Sequence, residues 1–335
     1  MPPFRAATVE TNGIRMNYLE AGEGPLVVLL HGFPELGYSW RHQLPALAEA
    51  GYRVVAPDQR GYGGTTRPEA IEDYTLCHMV ADVVGLVQAL GERQAAVIGH
   101  DWGSAVAWTC ALLRSDMFRS LGLLSVPYLR DLWSGPPPTA MMRQFLAAGQ
   151  MLYQMYFQEP GPADHDLALD PRDSLLRIFA TSTGGIAPAQ RWRFLYPAGE
   201  PFLDTIPKVD QLPAWLTAED LEFFAAEFTR TGFTGGLNWY RNMDRDRTLL
   251  AFLAQARIAQ PSVFIAGAED PVITMYRRDY DLLEQTMPGL TAKTLLPGTG
   301  HWVQQEKPAE VNRHLLRFLT AAWPASSAHA SAATL

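Results

Sequence analysis

The stretch from Ala95 to Leu113 constrains the fold of this chain more than any other. Four apolar residues, Ala95-Ala96-Val97-Ile98, run straight into Gly99-His100-Asp101-Trp102-Gly103-Ser104, and an apolar helical segment follows. A run that is apolar at every position predicts a short strand buried on both faces. Turning from such a strand into a helix without a spacer leaves room only for small side chains across the turn, which Gly99, Gly103 and Ser104 supply. The same tightness pushes the central side chain, Asp101, out at the end of the strand. An isolated Asp at a helix start is an ordinary N-cap. The strand, the glycines and the residues described below give this one a chemical reading instead.

Strand and helix alternate on both sides of that turn. Asn12-Gly13 between Ala7-Thr8-Val9 and Ile14-Arg15-Met16-Asn17-Tyr18 predicts a hairpin. Pro25 to Leu30 reads as a buried strand ending in His31-Gly32-Phe33-Pro34. Helices are predicted over Trp40–Ala50 and Thr75–Leu90, the second stopped by Gly91, and strands over Arg53–Ala56 and Leu121–Val126. After Pro127 the rhythm stops. Residues 128–247 hold Pro136-Pro137-Pro138, many Met and aromatic residues, and helical spacing without a parallel-strand run. Strand Pro261–Ala266, helix Tyr276–Gln285, strand Thr291–Leu296 and helix Pro308–Ala322 then resume it. The fold class is α/β: a mostly parallel sheet flanked by helices, built from residues 1–127 and 248–324. A helical cap is inserted at 128–247, and a small-residue tail at 325–335 is expected to fray.

Composition narrows the function. Lys and Arg number 27 against 35 Asp and Glu, a net charge of −8, which disfavours nucleic acid and anionic membrane surfaces as partners. The longest apolar run, Leu26–Leu30, is far below the roughly 20 residues that span a bilayer, so no membrane anchor is expected. No basic segment precedes an apolar one near Met1, so no secretory signal is expected. Cys77 and Cys110 cannot staple a chain of this length, and no Cys/His spacing suggests zinc. The expectation is a cytoplasmic protein, monomer or homodimer, with no metal and no cofactor.

Asp101 is ionised at neutral pH and as a nucleophile needs no base to activate it. Its attack on an sp³ carbon would leave an ester, which water must cleave with the help of a general base and oxyanion donors. His301, in Pro297-Gly298-Thr299-Gly300-His301-Trp302, follows the last strand and is the candidate base. Asp270, in Ala266-Gly267-Ala268-Glu269-Asp270-Pro271, is the acid preferred to orient it, with Glu269 adjacent as a competitor. The order nucleophile, acid, histidine along the chain supports that set. The backbone N–H groups of Trp102 and Phe33 are the candidate oxyanion donors. Ser104 fills a small-residue position and is a poor nucleophile.

Together these residues resemble the epoxide hydrolases of the α/β-hydrolase fold, especially the hydrolase module of the soluble epoxide hydrolases. The similarity covers most of residues 10–320. It is carried by His31-Gly32-Phe33-Pro34-Glu35, Tyr38-Ser39-Trp40-Arg41, Ala50-Gly51-Tyr52-Arg53-Val54, Gly99-His100-Asp101-Trp102-Gly103 and Gly300-His301. On this resemblance no counterpart of the phosphatase-like N-terminal module of the mammalian enzymes is expected. The resemblance implies a cis peptide before Pro34. It also implies that Tyr153, in Tyr153-Gln154-Met155-Tyr156-Phe157-Gln158, and Tyr240, in Asn238-Trp239-Tyr240-Arg241, are the family's paired cap tyrosines. The implied reaction converts apolar epoxides and water to vicinal diols, with Tyr153 and Tyr240 on the oxirane oxygen while Asp101 attacks. Phe33, Pro34, Trp102, Met155 and Phe157 are expected to line the substrate, and Tyr128 and Tyr156 to be packing. Met141, Met142, Met151 and Met155 form either an adaptable apolar wall or plain cap packing.

The rival readings are a haloalkane or haloacid dehalogenase with the same Asp nucleophile, and a non-catalytic ligand-binding homologue. Phe33 stands where haloalkane enzymes place Asn, and Trp102 where haloacid enzymes want a cation.

Overall fold

In strand β3 (Leu26–Leu30), Leu26, Val28 and Leu30 enter one apolar core, and Val27 and Leu29 enter another. That two-residue alternation repeats in its neighbours and is why the apolar runs become strands covered on both faces. The computed structural model describes residues 4–325. In chain order its strands are β1 (Arg5–Thr11), β2 (Ile14–Ala21), β3, β4 (Arg53–Pro57), β5 (Ala95–His100), β6 (Phe118–Leu124), β7 (Gln150–Leu152), β8 (Leu195–Pro197), β9 (Ser262–Gly267) and β10 (Leu290–Leu296). Eight of them form one sheet in the order β1-β2-β4-β3-β5-β6-β9-β10. The β1/β2 and β2/β4 pairings are antiparallel and the rest parallel.

Helices α1 (Gln43–Glu49) and Pro308–Ala322 cover one face through Leu44, Leu47, Val311, Leu315 and Leu319. Helices α2 (Leu76–Ala89) and α3 (Trp102–Leu113) cover the other through Met79, Val83, Leu86, Val106 and Cys110. Each fully buried Val or Leu contributes about 1.5–3 kcal/mol, so these faces dominate the stability. The chain goes from β3 to β4 on one side and returns to β5 on the other. The carboxyl ends of β3 and β5 therefore flank a switch point, where ligands bind in open α/β sheets.

The segment between β6 and β9 is not wholly helical. The helices Pro171–Thr181, Ala218–Thr231 and Thr234–Arg241 are accompanied by an antiparallel ribbon, β7 with β8. Its second half is pinned to the sheet side: Trp239 Nε1 donates to the Arg60 carbonyl at 3.1 Å, and Asp246 accepts from the Leu76 amide at 2.8 Å. Among the described residues no helix is long and apolar enough to cross a membrane.

Several element boundaries differ from the sequence reading. The helix expected from Trp40 starts at Gln43, because Pro45 lacks the N–H that would bond back to Arg41 and so falls in the first turn. The expected Leu121–Val126 strand is Phe118–Leu124, since Ser125 has φ 70° and ends the extended backbone. The Tyr276–Gln285 helix is two short ones, Arg277–Asp281 and Leu283–Thr286. Tyr276 departs from helical geometry, with its phenol against Gln154 of the inserted segment. Of the tail placed at 325–335, Ala325 packs beside Gly51, and 326–335 lie outside the described residues.

The turn from β5 into α3 has the tightness its composition demands. A Cβ at Gly99 would collide with the Gly103 carbonyl, and one at Gly103 with the Leu30 carbonyl of β3. Gly99→Ala is expected to destabilise the protein by about 1–3 kcal/mol through overpacking, read as a lower midpoint in urea unfolding. An unchanged midpoint would show that the turn can open.

Candidate active site

Asp101 occupies that turn with φ 53° and ψ −123°, a conformation that costs an ordinary residue about 1–3 kcal/mol. Its backbone N–H donates to the Leu124 carbonyl at 3.3 Å, and its own carbonyl accepts from Ser104 at 2.9 Å. Leu30 of β3 pairs with Gly99 of β5, so the His31-Gly32-Phe33 loop lies alongside. The Phe33 amide donates to Asp101 Oδ1 at 2.9 Å, and the Trp102 amide also bonds the carboxylate. Burial raises the Asp101 carboxyl above its ordinary value, against the pull of His301, His100 and these two amides. The Ser104 hydroxyl is spent on the carbonyls of Gly99 and Leu124. The peptide before Pro34 is cis.

His301 presents Nε2 at 3.7 Å from Asp101 Oδ2 and Nδ1 at 3.2 and 3.3 Å from the two oxygens of Asp270. Asp270 ends the β9 connection and also accepts from the Val272 amide at 2.9 Å. Burial opposes its charge, yet His301 and hydrogen bonds hold its carboxyl below the ordinary value. Burial likewise opposes protonation of His301, and the carboxylates of Asp270, Asp101 and Glu35 override it, raising the imidazole to about 9. Glu269 faces elsewhere, pairing with Arg191 at 2.7 Å and accepting from the Gly185 amide. Sequence reasoning missed Ser125, whose hydroxyl reaches both Asp270 and His301.

It also missed a buried pair beneath the site. His100 Nδ1 lies 2.7 Å from Glu35 Oε2, and His100 Nε2 lies 2.8 Å from the His301 carbonyl. A carboxylate and a carbonyl are both acceptors, so the His100 ring is clamped between Glu35 and the His301 backbone. Glu35 accepts as well from the Gly32 amide and from Gln304 and Gln305. Burial penalises its charge, but His100 and the Gly32 amide bring its carboxyl down to about 2. A signal was available: Glu35 and His100 both stand inside the motifs that identify the loops.

The inserted segment closes the other side. Ring centroids of Tyr153 and Tyr240 are 6.2 Å apart, and Tyr240 lies 5.4 Å from Phe33 and 5.1 Å from Trp102. Phe157 completes the wall at 5.6 Å from Phe33 and 5.1 Å from Tyr240. Gln158 ties the two tyrosine segments, donating to the carbonyls of Gln154 and Tyr240 at 2.9 Å each. Burial holds both phenols well above the ordinary phenol range, so they remain hydrogen-bond donors. Met155, expected to line the site, is half-buried on the opposite side of its helical turn from Tyr153 and Phe157, where the helical period puts it. Met142 and Met151 pack on the core and Met141 is exposed. Tyr128 and Tyr156 are packing residues with their hydroxyls on the Ala256 carbonyl and Asp166. Among the described residues no group of three or more His, Cys, Asp or Glu could hold a metal ion.

Glu35→Gln removes the buried carboxylate on which His100, the Gly32 amide, Gln304 and Gln305 converge, and is expected to cost about 3–5 kcal/mol at neutral pH in urea unfolding. Because the folded-state value of Glu35 is depressed from 4.5 to about 2, its contribution is full above pH 4.5 and is lost as pH falls towards 2. The gap between wild type and variant should therefore close across that window. A gap independent of pH would contradict the assignment.

Comparison with known proteins places the chain in a family. The α/β-hydrolase fold family matches residues 25–308. The chain is 48% identical over 318 residues to epoxide hydrolase A of Mycobacterium tuberculosis, covering 93% of this chain and 96% of that one. The structure superimposes on an epoxide hydrolase from an endophytic Streptomyces with TM-score 0.90 and 45% identity, covering 96% of each chain. Epoxide hydrolase A of Mycobacterium thermoresistibile gives TM-score 0.89 and 50% identity, over 94% of this chain and 98% of that one. The chain belongs to the epoxide hydrolases of the α/β-hydrolase fold.

Proposed function

We propose that this epoxide hydrolase converts apolar epoxides to vicinal diols through an ester on Asp101. The observation that carries the reading is the facing arrangement of two buried, protonated phenols from the insertion and a carboxylate backed by His301 and Asp270. Oδ1 of Asp101 is held by the Phe33 amide, so Oδ2 is the attacking atom. As its bond to a ring carbon forms, the carbon–oxygen bond of the epoxide breaks, and the freed oxygen takes a proton from Tyr153 or Tyr240. Esterification removes the Asp101 charge, one of those holding His301 protonated. The imidazolium then gives up its proton, which restores the phenol.

Neutral His301, oriented by Asp270, next takes a proton from water at Nε2 while the water oxygen attacks Cγ of Asp101. The amides of Phe33 and Trp102 form the oxyanion hole for the tetrahedral intermediate. Its collapse breaks the ester bond, the departing alkoxide recovers the proton from His301, and the carboxylic proton left on Asp101 passes to Nε2 of His301, which returns the aspartate and the imidazolium. Epoxide plus water has become diol, and the Asp–His–Asp triad is restored. Residues 128–247 act as the cap that supplies the phenols and excludes bulk water. The unpaired thiols of Cys77 and Cys110 support a cytoplasmic location.

Asp101→Ala should abolish turnover, whereas His301→Ala should form the ester and keep it, visible as a substrate-sized mass increase on the intact protein. A single turnover in ¹⁸O-water should yield unlabelled diol, because the first diol oxygen comes from Asp101. Label in the first-turnover diol would mean direct attack by water and would sink the ester mechanism. Halide release from matched haloalkanes without diol formation would favour the dehalogenase instead.

A further inference from the structure

Ser125 directly follows β6, where its backbone N–H donates to the Ile265 carbonyl of β9 at 3.0 Å. Its φ of 70° is the left-handed region, uncommon for serine, and its side chain is fully buried. That backbone bend aims the hydroxyl between two groups. Oγ is 2.5 Å from Asp270 Oδ2 and 2.9 Å from His301 Nδ1. Both contacts are shorter than the direct approaches of Nδ1 to Asp270, at 3.2 and 3.3 Å.

We propose that Ser125 is a positioning residue for the base, bridging His301 and Asp270 through its hydroxyl. The inference rests on the reading of His301 as the base. A hydroxyl carries one proton, and the carboxylate Oδ2 can only accept it. Towards His301 the serine oxygen can then only accept, so Nδ1 must bear the hydrogen. In the neutral imidazole that follows ester formation, the Nε2 lone pair is thereby left facing Asp101, where the hydrolytic water has to be. Asp270 is held at both oxygens, by Ser125 at Oδ2 and by the Val272 amide at Oδ1.

The bridge also tempers the acid. Among the causes that hold Asp270 below its ordinary value is the hydrogen bond from Ser125. A carboxylate that accepts this bond attracts the imidazole proton less, so His301 becomes neutral at lower pH. The charged groups facing His301 are Asp270 on the β9 loop, Asp101 on the turn after β5 and Glu35 on the loop after β3, with the His100 ring 4.9 Å away. Ser125 is the uncharged member of that set.

The test uses the whole chain, with Ser125→Ala and Ser125→Gly, and styrene oxide as probe. Rapid quench and intact-protein mass spectrometry follow ester formation and ester hydrolysis separately from pH 6 to 10. Both variants should form the ester within about twofold of the wild-type rate and accumulate it. The pH at which hydrolysis reaches half its maximum should rise by about one unit, a tenfold change in the imidazole ratio at fixed pH. Glycine adopts the left-handed conformation without strain. If Ser125 serves only the turn, Ser125→Gly will match the wild type in rate and pH profile, and the proposal is overturned. Equal losses in both steps would overturn it too, as a general collapse of the site. If His301→Ala hydrolyses the ester at the wild-type rate, the base itself is elsewhere, and the Ser125 assignment goes with it.

Discussion

Glu35 and His100 meet 2.7 Å apart with both side chains fully buried, and three loops converge on them. Through Glu35 the pair holds the Gly32 amide, one residue before the Phe33 donor. Through the backbone of His100 it is continuous with Asp101. Through Nε2 of His100 it holds the His301 carbonyl, and through Glu35 it holds Gln304 and Gln305 just beyond. A buried carboxylate–imidazole contact of this kind gains little net stability over apolar packing. What it supplies is register, because breaking any one contact leaves a buried charge short of a partner. The Asp101 turn, the loop carrying the Phe33 amide and the loop carrying His301 are therefore placed relative to one another through one buried contact.

The same network reaches the insertion. Arg41 donates to Gln305 at 2.6 Å and pairs with Asp220, at the start of the helix Ala218–Thr231, at 3.1 Å. Tyr38 donates to Asp220 from the same side. On the histidine loop, Glu306 accepts from the amides of Gly184, Gly300 and Trp302, and the His301 amide donates to the Ser182 carbonyl. The loop that carries His301 is thus held from below by the sheet and from above by the insertion. In the proposed mechanism, phenols that meet an epoxide oxygen within hydrogen-bond distance need their own segment held as firmly as the carboxylate opposite.

Much of this was legible along the chain. The Ala95–Ser104 turn, the strand run at Leu26–Leu30 and the glycine loop before His301 are local signals: apolar at every position, or small where backbone meets backbone. Asp101 and His301 stand out because such turns expose one side chain. Other choices had no local signal. Glu269 and Asp270 are adjacent acids, and Arg191, 78 residues away in sequence, captures the first and leaves the second for His301. Ser125 reads as the end of a strand, and only the sheet order that brings β6 beside β9 places its hydroxyl between the acid and the imidazole. Met155 looked like lining by composition, and the helical turn directed it away from Phe157 and Tyr153.

The amino-acid sequence by itself determined the α/β alternation, the tight turn at Asp101 and the glycine-rich loop before His301, since each depends on side-chain size, polarity and spacing within a few residues. The tertiary structure alone decided which acid meets His301, that Ser125 joins them, and that His100 meets the buried carboxylate of Glu35. Those outcomes depend on distances of about 3 Å between residues separated by tens to hundreds of positions. Desolvation makes each unpaired choice costly, so the folded arrangement, and no local pattern, selects the partners.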